Sequence, residues 1–269
     1  MKTRTDPKVD YAFKRVFGRE ESEPALISLL DAVLQPPPGQ KIARDQSGRL
    51  FNVEMQMLAY GAFRQRALYY WSRLYQGQLQ EGDDYPVLRP TISVCFVDTP
   101  LFPELADHHL IFELRERHRQ TLFTDQMAVH ILELSKFSKA IEELTTPLDR
   151  WLFFLRHAED LDADAVPEPL NVPEVRWALG DLVMISQSEH DRELYESRLK
   201  MRRDISTALS EAEVAGEVRI QIRRIQSLQR LLRKAISSPE QLKSLPLTEL
   251  ENLAVQLEDQ LDARLANGS

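Results

Sequence analysis

Residues 40–56 read QKIARDQSGRLFNVEMQ, and their alternation decides the fold. From Arg49 to Gln56 the side chains switch character at every step. Phe51, Val53 and Met55 are expected on one side of a sheet and Asn52, Glu54 and Gln56 on the other. Asp45-Gln46-Ser47-Gly48 is a turn signal, so Lys41 to Arg44 is expected as a short strand that reverses into the longer one. The unit is a hairpin with one polar face, on which Glu54 stands beside Gln56.

Working upstream, Asp6-Pro7 to Gly18 reads as a first helix with proline in its first turn and glycine as its stop. Asp10 then lies in the first turns, where a surface acid is favourable beside the helix N-terminus. Ser22-Glu-Pro24 starts a second helix, ended near Gln35 by three prolines. Downstream, Ala62 to Gln80 has amphipathic helical spacing, with Leu68, Trp71, Leu74, Tyr75 and Leu79 as its apolar stripe. Arg64 and Arg66 near its start are either a solvated basic face or contacts to a phosphate held at the polar face of the hairpin.

Tyr85 to Asp98 contains the apolar run Ile92, Val94, Cys95, Phe96 and Val97, which predicts a central strand buried on both faces. His109 to Arg117 and Gln126 to Leu134 are further strands, the second placing His130 and Glu133 on opposite faces. The expected fold class is α/β, a mixed central sheet flanked by helices. Thr145 or Thr146 caps a helix opening at Pro147, Val172-Pro173 opens another, and Ser186-Gln-Ser-Glu189 reads as a capping box for a helix through Tyr195, Leu199 and Ile205.

From Glu211 the character changes. Val218, Ile222, Ile225, Leu228 and Leu232 form a stripe beside six basic residues, and Leu250, Leu253, Leu257, Leu261 and Leu265 form a second stripe among acids. The expected organisation is residues 1–208 as one domain and 209–269 as a helical C-terminal appendage. That appendage is either a helical hairpin or a surface for a protein partner or a second copy of the chain. Its basic face is either solvated or a DNA-contacting arm.

A carboxylate two residues before a polar amide on the second arm of a hairpin resembles the core of the PD-(D/E)XK nuclease superfamily. The branch described as recombination-promoting nucleases or putative transposases carries Gln at the last motif position, as Glu54-Met-Gln56 does here. The resemblance extends through Asp10-Tyr-Ala-Phe-Lys14 with Phe17-Gly18, and Arg64-x-Arg66 with Tyr69. It continues in Gln78-Leu79 with Gly82 and Tyr85, Leu132-Glu-Leu-Ser-Lys-Phe137 and Tyr195-Glu-Ser-Arg-Leu-Lys200, in that order. It implies a restriction-endonuclease-like core and a DNA endonuclease that uses Mg2+ or Mn2+. By the same resemblance Glu54 is a metal ligand, Gln56 orients water or a phosphate oxygen, and Asp10 is an auxiliary acid.

One departure stands out. The family places a metal-binding Asp on the first arm of the hairpin, after a further strand and loop. Here Val33-Leu34-Gln35 runs through Pro36-Pro37-Pro38-Gly39 straight into Gln40, and counting back from Glu54 puts the family Asp near Gln40. An amide brings no negative charge to a hard cation. Asp45 is the nearest acid and the candidate replacement metal ligand, although its place in the turn already accounts for it. The alternative reading is therefore a degenerate relative that binds DNA or a protein partner without cutting.

Composition narrows the classes. The chain has 269 residues, 43% hydrophobic and 28% charged, with a net charge of -8. Such a charge argues against wrapping nucleic acid over the whole surface. No apolar run approaches bilayer length and no signal-peptide pattern follows Met1, so no membrane association and a cytoplasmic location are expected. The single cysteine, Cys95, is read as a buried core thiol, and one cysteine with six scattered histidines excludes a zinc cluster. No phosphate-cradling glycine loop or nucleophile elbow occurs.

Overall fold

The computed structural model describes residues 2–35, 48–57 and 62–266. The chain divides into two compact units, Met1–Leu199 and Lys200–Ser269. The first is built on a four-stranded mixed sheet: β1 (Leu50–Gln56), β2 (Thr91–Val97), β3 (His109–Glu113) and β4 (Met127–Glu133), in the spatial order β1-β2-β4-β3. β1 runs parallel to β2 and β2 parallel to β4, while β3 lies antiparallel to β4. Glu54 sits opposite Cys95, in a register that carries unbroken from Leu50↔Thr91 to Gln56↔Val97.

β2 is buried along its whole length, as its apolar run predicts. A strand covered on both faces must be apolar on both, and helices supply the cover. On one face lie α1 (Asp10–Phe17), α2 (Glu23–Leu34), α4 (Pro147–His157) and α5 (Pro173–Gln187). Their core residues Phe13, Leu29, Trp151 and Leu179 join Ile92, Val94, Phe96 and Leu132 of the sheet, and Phe51, Val53 and Met55 pack against this cluster. The ring of Phe17 meets that of Trp151 edge-on at 5.5 Å. On the other face, α3 (Phe63–Gln76) lays Phe63 and Ala67 over Cys95, Val97, Val129 and Ile131.

Of the two candidate threonines, Thr146 caps α4, in a capping box with Asp149. Thr146 accepts from the Asp149 backbone amide at 3.0 Å, and the Asp149 carboxylate accepts from the Thr146 amide at 2.9 Å. Elsewhere local signals are corrected by tertiary contacts. α1 begins at Asp10 rather than at Asp6, because the Asp6 carboxylate accepts from the Lys8 amide in a turn of its own. The cap of the helix after α5 is Ser188, whose hydroxyl accepts from the Asp191 amide, whereas the Ser186 hydroxyl bonds back to the Val183 carbonyl. In α3 the sheet selects Phe63 and Ala67 for burial and leaves Leu68 49% exposed.

Three residue groups quoted for the family resemblance have structural roles. The Gln78 amide donates to the Arg89 carbonyl and accepts from its N–H, bracing the entry to β2. The buried Glu133 carboxylate accepts from the Leu101 and Phe102 amides at 2.7 and 2.9 Å and pairs with Lys136. Tyr195 accepts from the Asp6 amide at 3.0 Å, holding the N-terminal segment.

α6 (Glu189–Leu231) is one continuous helix of 43 residues, so the change of character at Glu211 marks no helix boundary. Within the second unit its distal part meets α7 (Pro239–Lys243) and α8 (Leu247–Ala266) through Ile222, Ile225, Leu228, Leu250, Ala254 and Leu257. Arg224 grips Glu258 with two hydrogen bonds, at 2.8 and 2.5 Å, an exposed charged contact beside the apolar one. Both apolar stripes read from the sequence are thereby used against each other.

Candidate active site

The alternation of β1 sends Glu54 and Gln56 to the sheet face that α3 covers, and α3 answers with Arg66. The Arg66 guanidinium donates to Gln56 Oε1 at 2.6 Å, a short charge-assisted contact. Arg66 also lies over the ring of Phe63, with 5.5 Å between Cζ and the centroid. Glu54 is half-buried beside these groups, and among the described residues no ion pair engages its carboxylate.

A cleft of about 550 Å3 follows β1, and it takes residues from both faces of the sheet. Glu54, Gln56, Arg66 and Tyr70 line it from one side, Asp10 and Lys14 from the other. Asp10 and Lys14 pair at 3.0 Å across one helical turn. The structure thus gathers Asp10, Glu54, Gln56 and Arg66 in one cleft. Lys14 was quoted only as the end of a motif and Tyr70 not at all, yet the i, i+4 spacing from Asp10 and from Arg66 places each on the same helix face as its neighbour.

Arg64 is elsewhere. Two residues along a helix are separated by about 200°, so Arg64 and Arg66 cannot face one site. Arg64 donates to the Leu101 carbonyl at 2.8 Å and stacks on Phe102, 4.3 Å from the ring centroid. The first arm of the hairpin, the Gln40 position and Asp45 lie outside the described residues. Gly48, just before β1, has φ +68°, the left-handed backbone that a turn glycine supplies.

Cys95 faces the same layer as Glu54 and is fully buried, so its thiol is pushed up to about 12, first by burial and then by the Glu54 charge. It is no nucleophile at neutral pH. His109 Nε2 and His130 Nδ1 stand 3.0 Å apart between β3 and β4. Burial and the neighbouring ring hold His130 down to about 4.

Among the described residues no group of three or more His, Cys, Asp or Glu side chains could hold a metal ion. The cleft offers two carboxylates, Glu54 and Asp10. Carboxylates are the donor type that a Mg2+-like cation takes, commonly one or two with waters and phosphate oxygens completing the shell, and of this pair Asp10 is engaged by Lys14.

A four-stranded mixed sheet with helices on both faces, carrying an acid and an amide on its first strand, is an α/β arrangement consistent with a nuclease-like fold. The chain belongs to the PD-(D/E)XK nuclease family transposase family, whose model matches residues 7–44 and 41–212. The two matched segments overlap at residues 41–44, the stretch where the first arm of the hairpin is expected. No curated protein and no solved structure matches the chain. Among the described residues no helix is long and apolar enough to cross a membrane.

Proposed function

We propose that the protein is a DNA endonuclease of the recombination-promoting or transposase-associated type, hydrolysing phosphodiester bonds with Mg2+ or Mn2+. The observation that carries this reading is the convergence of Glu54, Gln56, Arg66 and Asp10 on one cleft in a chain of this family. Glu54 is the principal ligand for the cation, with Asp10 as the second acid. Asp45, outside the described residues, is the remaining acid near the hairpin. The bound cation would neutralise charge on the scissile phosphate and favour deprotonation of water.

The residues of the chain divide the remaining work. Gln56, bonded to Arg66, lines the cleft as the group that orients the attacking water or a phosphate oxygen. Arg66 brings the permanent positive charge that a Lys at the Gln56 position would otherwise supply. Arg64, engaged by Leu101 and Phe102, serves the neighbouring loop, and a phosphate contact there would require it to leave both.

A second reading, a pseudo-nuclease that binds DNA or a protein without cutting, is favoured by one observation. Asp10 is already ion-paired to Lys14, which leaves Glu54 as the unpaired carboxylate of the cleft. Incubation of supercoiled plasmid with Mg2+ or Mn2+, beside a chelator control and Glu54→Ala, separates the two. Nicking that is lost in both controls supports the enzyme. A folded protein that leaves plasmid intact overturns it in favour of the pseudo-nuclease.

A further inference from the structure

A second cleft of the first unit, about 540 Å3, shares no residue with the Glu54 cleft. Lys2, Arg4, Ser186, Arg192, Tyr195 and Glu196 line it. One wall is the N-terminal segment, strapped down by Arg4 N–H to the Glu159 carbonyl at 3.1 Å and by the Thr5 hydroxyl to the Leu182 carbonyl at 3.3 Å. Arg4 itself has φ +52°, a left-handed backbone uncommon for a residue with a side chain. That conformation is held by the straps on either side of it.

The other wall is the first turns of α6. Asp191, the acid beside Arg192, is already used: Tyr11 donates to it at 2.6 Å and Arg15 pairs with it at 3.4 Å. Glu196 lies one turn beyond Arg192 and is paired with neither arginine. Among the described residues Arg4 and Arg192 have no ion-pair partner at all. Two unpaired arginines, with Lys2 beside them already facing Asp162, therefore meet one carboxylate across a walled cleft, in a chain whose net charge is -8. Gathering like charges is unfavourable until an anion enters, and two guanidinium forks match the oxygens of a phosphate.

We propose that this cleft binds a phosphate group, either a phosphodiester of a nucleic acid strand or a free phosphate anion. The site is separate from the hydrolytic centre, and its occupation requires no cation. As a strand contact it would anchor DNA outside the Glu54 cleft; as a free-anion site it would tie the N-terminal segment to α6.

The test is made in chelator, so that a failure of cleavage has no bearing on it. Binding of a labelled DNA duplex is followed by anisotropy across a salt series, and the melting temperature is followed with added inorganic phosphate. Wild type is compared with Arg4→Asn/Arg192→Gln and with the charge-keeping Arg4→Lys/Arg192→Lys. Asn tolerates the left-handed backbone at position 4. For a strand phosphate, the charge-removing variant loses about tenfold or more in DNA affinity near 0.1 M salt. Its log–log salt slope drops by about 2, one for each arginine, and the lysine variant keeps most of the binding.

For a free phosphate, DNA binding is unchanged while stabilisation by inorganic phosphate disappears in the charge-removing variant. Equal DNA affinity, salt slope and phosphate response in wild type and the charge-removing variant overturn the proposal. Should that variant fail to fold, the Nε–H signals of Arg4 and Arg192 in the wild type decide. Movement of both on titration with phosphate supports the site, and no movement overturns it.

Discussion

Replacing Asp149 by Asn removes one negative charge from the capping box of α4 while preserving shape and one acceptor. Its carboxylate is almost fully buried, at 5% exposure, and receives Lys139 at 2.7 Å, the Thr146 amide at 2.9 Å and the Thr145 amide at 3.1 Å. Burial pushes its pKa up. Lys139 and the threonine donors more than offset this and bring it down to about 2 from an ordinary 3.8. At about 1.4 kcal/mol for each tenfold in proton affinity, that difference corresponds to roughly 2.5 kcal/mol of stability.

Because the folded-state value is depressed, this contribution is fully present above about pH 4 and is lost as pH falls through about 2. Asp149→Asn is therefore expected to cost roughly 2 kcal/mol in urea denaturation at pH 7, with the gap to wild type closing as pH approaches 2. Other carboxylates titrate alike in both proteins and cancel. Trp71, Trp151 and Trp177 are the three tryptophans of the chain and all lie in the first unit, so their fluorescence follows the unit concerned. A gap at pH 7 below about 0.5 kcal/mol, or one unchanged at pH 2, would refute the assignment of this energy to the Asp149 charge.

Further expectations concern the site and its surroundings. In the plasmid assay Arg66→Ala is expected to lower nicking by at least about tenfold, since it removes the nearest fixed cation and releases Gln56, whereas Arg64→Ala leaves activity within about threefold; equal losses would place both side chains on the substrate. Cys95 is expected to resist aromatic disulfide reagents in native protein at pH 8 and to react fully in denaturant, because burial holds its thiol at about 12. His130, held down to about 4 by burial and by His109, stays neutral in the fold, so its contribution to stability is present above about pH 6.5 and lost towards pH 4. NMR titration of its ring should show no protonation above about pH 5, and His130→Gln should flatten melting temperature against pH in that window.

The alternation from Phe51 to Gln56 was legible because a strand has only two faces, and a period of two separates core from polar residues without outside information. The helical stripes of α6 and α8 were legible for a similar reason, and each found its partner in the other. Reading failed where a local signal had competitors. Leu68 fits an apolar stripe as well as Phe63 does, but the sheet meets only one side of α3. Ser186 and Ser188 both stand in cap-like patterns, and the end of α5 selects the second.

Legible from neighbouring residues alone were the two-sided burial of β2 and the acid and amide on the polar side of β1. Those follow from periodicity, which is written into neighbouring residues. Only the tertiary structure decided that Arg66 meets Gln56 while Arg64 turns to Leu101, and that Asp10 from α1 reaches the cleft of Glu54. It also decided that Arg4 and Arg192, nearly the length of the first unit apart in sequence, share one cleft. Those juxtapositions depend on how helices pack across a twisted sheet, a property of contacts between distant segments that no local pattern encodes.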